Sequence, residues 1–155
     1  MRPASVTPMP QDPMDETAVL DRLGAALELQ YRSALQYTLV AGSVEGFEYH
    51  ALGDLMWEFA QEELADARRL VEKIVALGGR PGAAVAPLDN PQDAAAAIDL
   101  LIDTECEALA ALHAVIPHTG QEARSEALEH RLEHMIMRKQ EQVDTLLRAR
   151  RDGEA

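Results

Sequence analysis

Three carboxylates and one amine in this chain stand where a soluble helix normally places Leu or Ala. Between Leu52 and Leu77 an apolar stripe runs Leu52, Met56, Phe59, then Glu63 and Asp66, then Leu70, Ile74 and Leu77. Successive members are three or four residues apart, so all of them share one helix face. Glu105 and Lys139 interrupt two later stripes in the same way. Carboxylates seldom enter a core unless a cation or a metal ion meets them there. Two chemistries follow. Converging carboxylates form an oxygen-rich site for hard or borderline metal ions. Alternatively, Lys139 neutralises them as a buried ion pair.

The elements that must position these groups are helices. The first is expected from a cap at Asp15 or Thr17 to about Val44, with Leu20, Leu23, Leu27, Gln30, Ala34, Tyr37, Ala41 and Val44 inward. Gly42, Ser43 and Gly46 turn the chain into the second helix, which Gly78-Gly79-Arg80-Pro81 stops. From Gly78 to Asp93 the connector has 16 residues and no periodicity. It can reach roughly 50 Å when extended, longer than a helix of about 28 residues at roughly 42 Å. The connector can therefore cross the whole molecule and start a third helix parallel to the second. That helix carries Ala94, Ile98, Leu101, Glu105, Ala108, Leu112 and Val115, and ends near Pro117 to Gly120. The fourth carries Leu128, Leu132, Met135, Lys139, Gln142 and Leu146. These features predict an all-α, antiparallel four-helix bundle over residues 15–151, with one long crossover between helices 2 and 3. Met1 to Met14 contains four prolines and is expected to be a disordered lead-in.

Each inner stripe is interrupted at one level. Hairpin symmetry supports a common height: Gln30 and Glu63 are centred on the first turn, while Glu105 and Lys139 are centred on Glu122, just past the second. Any one of these residues alone would be an ordinary frayed stripe. Six together, Gln30, Glu63, Asp66, Glu105, Lys139 and Gln142, predict a polar layer across the bundle.

This layout resembles the ferritin-like superfamily, and bacterioferritins most. That resemblance implies a di-iron site made from a Glu on each of two helices and a Glu-x-x-His on each of the others. The spacings 33, 3, 39, 34 and 3 from Gln30 through Gln142 follow the family pattern closely. Gln36-Tyr37 is similar to the family's first-helix Gln-Tyr, and Ile74 to Pro81 is similar to the segment ending the bacterioferritin second helix. The resemblance covers about Leu20 to Leu147.

The departures lie at the ligands. The first-helix Glu position is Gln30, and the first Glu-x-x-His is Glu63-x-x-Asp66. Glu105 is retained, and the second Glu-x-x-His has become Lys139-x-x-Gln142. Glu63, Asp66 and Glu105 carry −3, and Lys139 brings the layer to −2, too little negative charge for two irons. The expectation is at most one iron or other divalent ion per chain, on Glu63, Asp66 and Glu105, with Gln30 and Gln142 offering carbonyl oxygen. Lys139 is the expected salt-bridge substitute for the lost metal charge. Ferroxidase activity should be weak or absent. The other reading is a metal-free helical scaffold or partner subunit held by the Lys–carboxylate network. The resemblance places Leu64 at the haem-ligating position, and a leucine cannot bind iron, so no haem is expected.

Composition narrows the partners. Net charge is −13, from 27 acids and 14 bases, which opposes nucleic acid and anionic membranes. No apolar run is long enough to span a bilayer, and the N-terminal stretch has no signal-peptide core. The lone Cys106 cannot form an internal disulfide, so a cytoplasmic location is expected. Cys106 has no His beside it to activate it. His130 and His134 form an i, i+4 pair away from the layer and read as a solvated face. Trp57, Leu64 and Val71 recur every seven residues outside the inner stripe, and Tyr31, Leu35 and Leu39 edge the first helix. These predict a homodimer through helices 1 and 2. The chain carries nothing resembling the fifth helix of ferritin cages, so a 24-subunit shell is not expected.

Overall fold

The computed structural model describes residues 12–46, 49–91 and 93–152. Four α-helices account for most of them: α1 Glu16–Ser43, α2 His50–Ala76, α3 Ala94–His113 and α4 Ala123–Asp152. A 3-10 turn, Ile116–His118, sits between α3 and α4. Asp15 caps α1 by accepting from the Ala18 amide at 3.1 Å, and Asp93 caps α3 by accepting from Ala96 at 2.8 Å. Gly78, at φ 83°, ends α2 in the left-handed conformation that a glycine adopts without steric cost.

The crossover climbs along α1. A Cβ on Gly79 would lie 2.6 Å from Leu20, near the start of α1. Farther on, the Ala86 amide donates to the Glu28 carbonyl at 3.2 Å. Gln36 then holds Asp89 with both ends of its amide: Nε2 donates to the Asp89 carbonyl at 2.7 Å, and Oε1 accepts from its N–H at 3.1 Å. Partners at 20, 28 and 36 show the connector travelling from one end of the bundle to the other. α3 therefore starts beside the end of α1 and runs parallel to α2, as the connector's reach allows. This gives Gln36 a backbone-pinning role.

The core is in two pieces. One contains Val19, Leu23, Leu27, Leu70, Leu112, Leu128 and Leu132. The other contains Tyr37, Val40, Met56, Phe59, Ile98, Leu101 and Leu146. Between them lies the polar layer.

The lead-in expected over Met1 to Met14 lies outside the described residues as far as 11. Its last three residues correct that expectation. Met14 is buried in the first core cluster, and its N–H donates to Glu122 at 3.1 Å. The Asp12 carbonyl accepts from Gln121 at 2.7 Å, and Asp15 N–H donates to the His118 carbonyl at 3.0 Å. The proline-rich composition concealed a segment fixed by tertiary partners. Its seat depends on Gly120, at φ 68°, where a Cβ would stand 2.6 Å from the Pro13 carbonyl oxygen. Gly120→Ala is expected to cost at least about 2 kcal/mol, through left-handed strain plus overpacking. Urea unfolding checks this. A loss under about 0.5 kcal/mol, the size of an ordinary surface substitution, would show that the contact is dispensable.

Candidate functional site

At mid-bundle the Lys139 ammonium is buried, 1% exposed, between two carboxylates. Its Nζ donates to Glu63 Oε2 at 2.6 Å and to Glu105 Oε2 at 2.8 Å, with Ser33 Oγ at 3.4 Å. Three helices besides α4 therefore meet this one atom. Ser33, from α1, also donates to Glu105 Oε1 at 2.5 Å. Gln30, one turn earlier, donates its amide nitrogen to the Glu63 carbonyl at 2.9 Å and to Glu63 Oε2. The charge-assisted bonds are short, as expected for ionised partners out of water.

Asp66 is elsewhere. Its Oδ1 accepts from Arg69 at 2.7 Å and from Arg138 at 2.9 Å, and neither bond involves Lys139. The expectation that all three acids share Lys139 is corrected here. Asp66 lies on the inner stripe, but half-exposed arginines on α2 and α4 reach it from the rim. The bookkeeping of charge changes with it. Glu63, Asp66 and Glu105 supply three negative charges and Lys139, Arg69 and Arg138 three positive ones, so these six groups balance, and Glu62, bonded to Gln142, adds one further acid. Gln142 donates to Glu62 at 2.9 Å, while its Oε1, Glu63 Oε1 and the Tyr37 hydroxyl are each buried without a hydrogen-bond partner among the described residues.

Burial and charge act against each other here. Burial pushes Glu105 above the usual glutamate range although Lys139 pulls it down. Burial by itself would lower Lys139, but Glu105 and Glu63 together hold its pKa above the ordinary lysine value. Asp66 is raised by burial, which outweighs its two arginines. Burial also lifts the Tyr37 hydroxyl well above its normal value, and the negative charges of Glu105, Glu63 and Glu62 add to this. Tyr37 packs edge-on against Phe59, with ring centroids 5.5 Å apart.

The six residues of the expected layer are all buried. Ser33, Glu62, Arg69 and Arg138 were missed. Ser33 lies three residues past Gln30, off the single row of the stripe, and the wide inner face of a bundle helix was the available signal. The arginines gave no signal, because long side chains reach inward from positions that face water. Among the described residues no three His, Cys, Asp or Glu side chains converge as a metal would require. The arrangement does not fit two metal ions, because the Lys139 ammonium occupies Oε2 of both retained glutamates and stands between them.

A four-helix bundle with a long crossover and a mid-core layer of carboxylates is the architecture of the di-metal carboxylate proteins. The chain belongs to the ferritin family: the ferritin-like domain model matches residues 20–152. Among solved structures similar to it is a ferritin-like, diiron-carboxylate protein from Bacillus anthracis str. Ames, at 22% identity and TM-score 0.82, covering 88% of this chain and 97% of that one. Another is the Rhodobacter capsulatus bacterioferritin, described with a metal-free dinuclear site and haem iron, at 20% identity and TM-score 0.78, covering 86% and 84%. At these identities the likeness speaks for the fold. Comparison with proteins of curated function gives no match.

Lys139→Met leaves Glu63 and Glu105 buried without their cation, and is expected to cost about 3–5 kcal/mol near pH 8. Glu105, already raised by burial, then rises further. Above the ordinary glutamate value and below this raised one, the folded variant binds a proton that the unfolded chain lacks, so its stability increases as pH falls through that window. Urea unfolding from pH 8 to pH 5 should therefore show the gap from the unsubstituted protein narrowing. The Lys139 contribution itself is present below the ordinary lysine pKa and is lost as pH rises through its raised value. A gap under about 1 kcal/mol, or one constant with pH, would mean that the ammonium does not hold the layer together.

Proposed function

We propose that this chain is a cytoplasmic ferritin-family helical scaffold or partner subunit in which a Lys–carboxylate network replaces the di-iron centre. In this reading it holds no stoichiometric metal ion and has weak or no ferroxidase activity. The carrying observation is Lys139 Nζ at 2.6 Å from Glu63 and 2.8 Å from Glu105. A fixed ammonium supplies the positive charge that the carboxylates need and repels a cation brought alongside it. Gln30 supports the same reading, since it turns its amide nitrogen, and not its oxygen, toward Glu63. Leu64, 62% exposed on α2, offers no donor atom for haem iron, and haem has no place in this proposal.

A single residual divalent ion is the second reading. What favours it is that Glu63 Oε1 and Gln142 Oε1 are buried acceptors without donors. Metal analysis after purification from iron-supplemented cells, combined with a ferrous-oxidation assay, separates the cases. The scaffold reading expects no stoichiometric iron and oxidation no faster than the buffer control. One ion per chain supports the residual site, and two irons with rapid oxidation would overturn both readings.

The proposal extends to a homodimer through α1 and α2. Trp57, Leu64 and Leu35 are 50%, 62% and 44% exposed on this face, with Val71 and Tyr31 half-buried beside them. Large apolar side chains grouped this way favour association. Trp57→Glu places a charge in the patch and is expected to shift the protein to monomer in sedimentation velocity. A variant as dimeric as the parent would remove the interface from consideration.

A further inference from the structure

We propose that the hollow between the end of α2 and the first half of α4 binds a small tetrahedral oxyanion of the phosphate class. Lys73, Ala127, His130, Arg131 and His134 line this hollow, which has a volume of about 270 Å³. Every polar side chain in that wall is a nitrogen base, in a chain with 27 acids against 14 bases. Four such groups offer N–H donors and no carboxylate, which is what an oxyanion needs and what a metal cation does not. The volume holds a phosphate ion with part of its hydration.

Neighbouring ion pairs sharpen the argument. Arg68 is held by Glu72 at 3.0 Å, and Arg69 and Arg138 are held by Asp66. No carboxylate lies within ion-pair distance of Lys73 or Arg131 among the described residues, so their charge is left for a ligand. Lys73 stands in the last turn of α2, where the helix dipole offsets part of its field. Arg131 lies in the interior of α4, with no such offset, and its planar fork grips two oxygens at once. Arg131 therefore carries most of the affinity, and the imidazoles of His130 and His134, one turn apart, orient the bound anion.

Inorganic phosphate titrated into the full chain, followed by the side-chain NMR resonances of His130 and His134, tests the proposal. Saturable shifts confined to these two of the five histidines are expected, with sodium chloride at matched ionic strength producing none. Arg131→Gln, an exposed position remote from the Lys139 layer, should weaken phosphate at least tenfold while leaving the unfolding midpoint unchanged. Lys73→Gln should weaken it less. Shifts that are linear in phosphate, that chloride reproduces, or that survive Arg131→Gln unaltered would overturn the site and leave only general screening by salt. Iron content and oligomeric state do not enter this readout, so its failure leaves the proposed function untouched.

Discussion

One buried ammonium decides how this bundle is put together. Lys139 projects from α4 into a layer where Glu63 of α2 and Glu105 of α3 would otherwise confront each other out of water. Two desolvated carboxylates at that distance cannot both stay ionised without a cation. The amine removes that conflict and links three helices at one point, while Ser33 and Gln30 bring in the fourth. Along α1 the two apolar clusters lie on either side of this layer, Leu23 and Leu27 in one and Tyr37 and Val40 in the other. Polar layers of this kind are costly to bury, and their value lies in fixing one arrangement of helices over slipped alternatives.

The charge balance extends outward. Asp66 is neutralised by Arg69 and Arg138 from the rim, so the layer's three acids meet three bases supplied by the chain itself. A ferritin-family bundle ordinarily needs an external cation at this level, because its inward groups are predominantly acidic. Here Lys139, Arg69 and Arg138 place nitrogen cations against the buried acids at that level.

The crossover illustrates how local composition yields to tertiary partners. Residues 79–91 have no period that would assign them structure, yet Ala86 and Asp89 are each bonded to the outer backbone or side chains of α1. The same holds for Asp12 to Met14, where Pro13 suggests an unanchored stretch of chain but the Asp12 carbonyl and Met14 N–H are met by Gln121 and Glu122. Segments without regular structure still need partners for their polar backbone, and only the assembled fold supplies them.

From residue types and spacing alone came the four helices, the long connection and the level at which the inner stripes turn polar. All of these depend on periodicity, which is local and survives in one dimension. Gln30, Glu63, Glu105, Lys139 and Gln142 were visible because each breaks a run of apolar neighbours three and four residues away. What pairs with what was decided only in three dimensions. Asp66 shares a helix face with Glu63, yet a turn of the helix and two flexible arginines give it a separate set of partners. Ser33 became part of the layer because its short hydroxyl happens to face Glu105 across a helix contact. Spacing fixes which face a side chain occupies, whereas its partner depends on reach, rotamer and the rotation of the neighbouring helix, and those exist only once the bundle has closed.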